Sequence, residues 1–321
     1  MVTNKGSFII SLDFELFWGV RDVLTKEKYG SNILGAKTAI PSMVALFEKY
    51  EAHATFATVG LLFCQSKEEV KKYSPELKPG YKNKLLSPYE ENYVESLSDL
   101  ADPYHSAKEL IELLKKRPNI EIGSHTFSHY YCWEAGQSDD EFEADIKAAV
   151  KIAADNDVVL KSIVFPRNQV ADGYLKICSK YGFTHYRGNP TKFFSERGGL
   201  KNRVLRLIDS YINICGDNSF GYDEIKEEFL YNIKASRFLR PYSSIFALLD
   251  GLKIKRIKNE MTVAAKQNKI YHLWWHPHNF GINQKQNLNM LEDILKHYNR
   301  LFKQYGFESH TMNQLTNLLT K

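Results

Sequence analysis

Ser7-Phe8-Ile9-Ile10-Ser11-Leu12-Asp13-Phe14-Glu15 runs from an apolar stretch directly into two carboxylates. Ser7–Leu12 reads as a buried strand, short and mostly apolar. Outward from it, similar runs alternate with helix-like stretches. Thr38–Tyr50 has the spacing of an amphipathic helix, Ala54–Val59 reads as a second strand, Ala107–Lys116 as a helix and Ile120–Ile122 as a third strand. Asp139–Asn156 reads as a helix with acids in its first turn, where the helix dipole favours them. Ser162–Phe165, Thr184–Tyr186 and Lys269–Trp275 continue the strands, and Tyr174–Tyr181 and Asn287–Tyr305 the helices. Repeated βα units imply a parallel sheet with helices outside it, an α/β fold. Residues 1–321 read as one domain with two loop insertions, a polar one with four prolines at about 65–105 and an irregular, basic one at about 192–258.

Composition narrows the class. A 43% hydrophobic and 25% charged chain is that of a soluble globular protein, and 321 residues suffice for a large core. The net charge of +5, from 43 basic against 38 acidic residues, is too small to argue for nucleic-acid binding. Cys64, Cys132, Cys178 and Cys215 form no CxxC pair, which argues against a disulfide framework and a cysteine zinc site. No run approaches the 18 or so apolar residues of a membrane helix. The first residues lack the pattern of a secretory signal, so a cytoplasmic location is the expectation. Aromatic residues, 13% of the chain, suit a sugar-binding cleft or a large aromatic core equally.

The chemistry-bearing residues stand at the C-terminal ends of the expected strands, where barrel enzymes gather their catalytic groups. Asp13 and Glu15, two apart on extended backbone, point to one side. Such a pair is either two solvated loop acids or a site in which a cation sits between them. His125 and His129 in GSHTFSH are four apart, a spacing suited to one metal ion, though HxxxH also arises by chance. Two imidazoles with one carboxylate make the three-ligand set of catalytic zinc sites. Arg167, after the strand ending Val164-Phe165-Pro166, is either a surface arginine or the partner of a catalytic carboxylate. His276, after Leu273-Trp274-Trp275, is placed to act as a general acid. Trp274 and Trp275 should face opposite sides of the strand, and Trp275 is the candidate for substrate contact. His278 either stabilises the loop or contacts substrate. Arg237, Arg240 and Tyr242 in the basic stretch either form surface salt bridges or bind an anionic part of a substrate.

These segments, in this order and with Ala54-Thr55-Phe56, resemble the motifs of the polysaccharide deacetylase superfamily, carbohydrate esterase family four, from residue 8 to residue 281. The resemblance implies a distorted (β/α)7 TIM-like barrel. It implies Asp13 as catalytic base, Glu15, His125 and His129 as metal ligands, Arg167 as the residue orienting the base, and His276 as the acid. It also implies a divalent metal, zinc first, with cobalt or manganese as alternatives. Two segments depart from the usual motifs. Asp-Phe-Glu stands where adjacent aspartates are usual, which looks more like the intracellular branches, and Phe165–Gln169 replaces the usual arginine–proline run. The function so implied is hydrolysis of the N-acyl amide of an amino sugar or saccharide precursor in envelope polysaccharide synthesis. Alternatives are an allantoinase-like or cyclic-imide amidohydrolase, a catalytically idle carbohydrate-binding relative, and a non-haem iron oxygenase, whose usual β fold this chain does not match.

Overall fold

A computed structural model of the chain describes residues 5–90, 93–97, 102–191, 199–225 and 228–316. Parts of both expected insertions, residues 91–92, 98–101, 192–198 and 226–227, lie outside the described residues. The strands are β1 (Ser7–Phe14), β2 (Ala54–Thr58), β3 (Ile120–Ser124), β4 (Ser162–Ile163), β5 (His185–Tyr186), β6 (Tyr231–Asn232), β7 (Arg237–Phe238), β8 (Ile270–Trp275) and β9 (Glu308–His310). They form one sheet in the order β6-β5-β4-β3-β2-β1-β8-β7, with β9 added to β1, and these strands pair in parallel throughout. Helices α1 (Lys26–Lys49), α2 (Lys67–Tyr73), α3 (Lys108–Lys115), α4 (Asp139–Ala154), α5 (Asp172–Lys180), α6 (Gly199–Asp209), α7 (Asp250–Lys266), α8 (Gln284–Tyr305) and α9 (Met312–Leu315) complete it.

One continuous segment joins the two ends of that order. Ile233 and Ala235 donate backbone N–H groups to the carbonyls of Tyr186 and Gly188 at 2.9 and 2.8 Å; Ser236 and Leu239 then donate to His272 and Trp274, both at 2.8 Å. The segment from Tyr231 to Phe238 therefore pairs first with β5 and then with β8. β6 and β7 are two halves of one bent stave, and the result is the distorted seven-membered barrel. This corrects the reading of residues 192–258 as an insertion: its centre is a wall of the barrel. Each half pairs over only two residues, too few to show strand periodicity in sequence.

Side-chain parity decides what faces where. Phe8, Ile10, Leu12 and Phe14 of β1 lie in the large apolar layer beneath the helices. Ile9 of the same strand joins Ala57, Val164, Ile233, Ile270 and Met312 in a second cluster inside the barrel. Burial of each such side chain stabilises by roughly 1.5–3 kcal/mol, and a one-residue slip of β1 would drive Asp13 into the helix layer. Register is thereby fixed. Above the inner apolar floor the interior turns polar, with Ser11, Asp13 and His272 all buried.

α1 begins at Lys26, well before the expected Thr38, and carries Pro41 in its interior. It packs against the turn after β8 so closely that a Cβ on Gly35 would stand 1.9 Å from the carbonyl oxygen of Gly281. That contact seats the loop carrying His276 and His278.

Candidate active site

Glu15 leaves the end of β1 on a short 3-10 turn, Leu16–Gly19. Its carboxylate meets two imidazoles from the turn after β3. Oε2 lies 3.2 Å from Nε2 of His125 and 3.0 Å from Nε2 of His129, with all three side chains buried. Among the described residues this is the one group of three or more His, Cys, Asp or Glu side chains arranged to hold a metal ion. The donor chemistry fits a cation. Nδ1–H of His125 donates to the carbonyl of Val164 at 2.7 Å, which leaves Nε2 with a lone pair aimed at a carboxylate oxygen. Ligands about 2.0–2.2 Å from a tetrahedral zinc stand roughly 3.3–3.6 Å apart, close to the separations seen.

The turn between the histidines is held from below. Thr126 and His129 adopt left-handed backbone, φ 62° and 60°. Asp145, buried on α4, accepts the backbone N–H of Phe127 at 2.7 Å and of Ser128 at 3.1 Å, together with the Ser128 hydroxyl. α4 itself starts in a reciprocal capping box between Ser138 and Glu141.

Asp13 sits beside this trio, but its partner is Arg187 rather than Arg167. Fully buried just past β5, Arg187 donates from Nη1 to Oδ1 at 2.6 Å and from Nη2 to Oδ2 at 2.8 Å. It also donates to Ser11 Oγ at 3.0 Å and Asn168 Oδ1 at 2.9 Å. The Ser11 hydroxyl lies 2.8 Å from Nε2 of His272, and the Arg187 guanidinium lies 4.1 Å from the Trp274 ring centre. Burial alone would raise the pKa of Asp13; the charges of Arg187, His125 and His276 outweigh it and hold the group below its usual value. Glu15 likewise lies well below its usual value, burial being overcome chiefly by the charge of His276.

Arg167 points elsewhere. It binds Asp22, has Glu134 at 3.5 Å, and lies across the ring of Tyr131 at 4.2 Å. The cause is local: Arg167 and Asn168 have φ 54° and 51°, and this turn brings Asn168, not Arg167, to Arg187.

His276 completes the group, with Nε2 3.6 Å from Glu15 Oε1 and 3.8 Å from Asp13 Oδ2. Its side chain is 25% exposed while those of His125, His129 and His278 are 1–3% exposed, so it is the imidazole a substrate can reach. His278 stacks on it at 5.1 Å between ring centres, and burial pushes its pKa down to about 3, which keeps it neutral.

Parity corrects Trp275. It is fully buried against Phe47 and Phe280 in the helix layer, and Trp274 is the residue on the barrel side, touching Phe238 and His276. Arg237 is also turned inward, bound to Glu260 and Asp209 at 2.6 and 3.1 Å. Arg240 donates to Ser210 at 2.5 Å, and the Tyr242 backbone to Asn287 at 2.7 Å. None of the contacts described for these three is with Asp13 or the metal trio.

A family model described as polysaccharide deacetylase matches residues 30–186, about half of the chain. The chain carries a polysaccharide deacetylase domain, and members of that family are metal-dependent hydrolases of amide C–N bonds. The matched range includes His125 and His129; Asp13, Glu15 and His276 lie outside it and are brought to them by the fold. No curated protein matches the chain by sequence. In structure the chain is similar to a protein of Mycobacterium smegmatis described as a polysaccharide deacetylase, with TM-score 0.61, 10% identity and 98% and 90% of the two chains covered. A Pseudomonas aeruginosa PAO1 protein so described gives TM-score 0.52 at 10% identity, covering 96% and 87%. The Puue allantoinase gives TM-score 0.50 at 9% identity, also covering 96% and 87%. At these identities the likeness is one of fold. No helix among the described residues is long and apolar enough to cross a membrane.

Proposed function

We propose that this chain is a metal-dependent deacetylase that hydrolyses the N-acyl amide of an amino sugar or saccharide precursor of a cell-envelope polysaccharide. The observation that carries the reading is the convergence of three groups: an oriented carboxylate, a reachable imidazole and a three-donor cluster between them. A divalent cation held by Glu15, His125 and His129, zinc before cobalt or manganese, would polarise the amide carbonyl and acidify a water. Asp13, kept ionised and immobile by Arg187, takes the proton of the attacking water. His276 delivers a proton from Nε2 to the departing nitrogen, and His278 stacked behind it limits ring rotation. Trp274 and Phe238 form the apolar wall beside that nitrogen. The cytoplasm is the compartment in this reading, with which the free, buried thiols of Cys64, Cys132 and Cys178 agree.

The test is release of acetate from a panel of N-acetylated sugars and nucleotide sugars, with allantoin and small cyclic imides in the same panel. Turnover that survives both chelation and Glu15→Ala would overturn the metal-dependent reading. Turnover confined to allantoin or the imides would overturn the substrate class.

A further inference from the structure

The stretch after β7 exposes apolar side chains that helical spacing would normally bury. Ile245, Leu248, Leu249 and Leu252 stand at i, i+3, i+4 and i+7 along the 3-10 turn Ser244–Leu249 and the start of α7. Such a stripe ordinarily faces a core. Here their exposures are 84%, 99%, 38% and 47%. A second ridge lies on α6 and the turn after it, where Val204, Ile208 and Ile212 are four apart and 46%, 39% and 62% exposed. The helical turn continues to Ile212, whose N–H donates to the Ile208 carbonyl at 2.9 Å. Tyr211 and Phe246 pack with ring centres 6.0 Å apart, which sets the two ridges side by side. Of the sixteen exposed large apolar residues among those described, eight fall between Val204 and Leu252. A concentration of that kind marks an interaction surface.

Charge identifies the occupant. The acids of these two stretches, Asp209 and Asp250, are turned inward onto Arg237, Arg256 and Lys253. Lys201 and Lys255 remain exposed beside the ridges, and Arg240 lies between them. Self-association through one shared patch would bring these cations face to face with their own copies. An anionic lipid surface would instead neutralise them while taking up the apolar ridges.

Position links the patch to the site. β7 runs parallel to β8, and Phe238 at its end packs against His276. Only five residues separate Phe238 from the exposed turn. The patch therefore lies at the catalytic end of the barrel. We infer that Val204–Ile212 and Ile245–Leu252 dock this protein peripherally on an anionic membrane surface, beside the mouth of the site.

The test is co-sedimentation of the purified full chain with vesicles of phosphatidylcholine alone or mixed 7:3 with phosphatidylglycerol. The paired variant Ile245→Glu/Leu248→Glu lies on exposed positions and should retain the circular dichroism of the parent. The expected result is binding to the phosphatidylglycerol vesicles, at least tenfold weaker in the variant and on pure phosphatidylcholine, and lost in 0.5 M NaCl. Equal partitioning of parent and variant, or no partitioning by the parent, would overturn docking. Concentration-dependent dimerisation abolished by the same variant, without vesicle binding, would assign the surface to a second copy. Neither readout involves hydrolysis, so failure here leaves the deacetylase reading standing.

Discussion

Arg187 grips both oxygens of Asp13, at 2.6 and 2.8 Å, with neither side chain more than 4% exposed. Removing one partner of a buried ion pair leaves the other uncompensated and costs about 3–5 kcal/mol. Arg187→Met is therefore expected to lower thermal stability substantially. Its second effect separates positioning from folding. Arg187 lowers the pKa of Asp13, so its loss raises that pKa, and the acid limb of kcat/KM should move to higher pH. Arg167→Ala, which breaks the contact with Asp22 instead, should leave the limb where it is. Identical pH profiles for the two variants would refute the division of labour.

Gly19 makes room for Glu15. A Cβ there would stand 2.1 Å from Cδ of the Glu15 side chain. The flexible carboxylate gives way more easily than the backbone, so Gly19→Ala should fold and lose metal affinity. Displacing one of three ligands should cost at least the 10- to 100-fold typical of disturbing the shell around a metal site. Titration calorimetry with zinc, beside circular dichroism of the same sample, checks this; unchanged affinity would show that Glu15 does not need that space.

Asp145 is expected to act on the metal site without touching it. Asp145→Ala would leave the buried N–H groups of Phe127 and Ser128 unpaired, at about 1–3 kcal/mol each. The turn holding His125 and His129 should loosen, and zinc affinity should fall further than in Ser128→Ala, which loses only the hydroxyl contact. Equal affinity in the two variants would make the clamp irrelevant to the ligands.

How far the sequence reaches is visible in individual residues. The ends of β1 and β8 were legible because each is a mostly apolar strand of six residues or more and polar residues follow it, and that of β3 because Gly123-Ser124 and the His125/His129 pair follow Ile120 and Ile122. The two-residue pairings at β6 and β7 carry no period, so the stave from Tyr231 to Phe238 stayed hidden. Arg187 was within reach: it follows the expected strand Thr184–Tyr186 as Arg167 follows Ser162–Phe165. Choosing between them needed the left-handed turn at Arg167 and Asn168, which Asn168 favours but nothing at Arg167 announces. Trp275 shows the reverse case, where parity was clear and only the direction of the inner face was missing. Gly19 was unreadable in principle, since its reason is a contact made only in the fold.

Acid should release the turn from Asp102 to His105 before the barrel. Asp102, 11% exposed, accepts the Tyr104 N–H at 2.8 Å and lies 3.0 Å from His105 Nδ1 and 3.3 Å from Lys26. Burial opposes its ionisation, but the bonds from His105 and Tyr104 and the charge of Lys26 win, and the pKa lies below the usual 3.8. A carboxylate with a depressed folded pKa contributes stability that is present above its unfolded pKa and is lost as pH falls through the folded value. His105 acts in the same direction: burial lowers its pKa, so protonation below about pH 6.5 also favours unfolding. Asp102→Asn should therefore lower stability at pH 7 by about 1 kcal/mol, discounted for solvent screening. The difference from the parent should shrink as pH falls below about 4, where the carboxylate of the unfolded chain takes up its proton while that of the folded chain is still ionised. Melting curves of both proteins from pH 7 to pH 2 test this, with backbone hydrogen exchange at Tyr104 and His105 reporting the local opening. A gap that stays constant with pH would mean that Asp102 acts through shape and not through its charge.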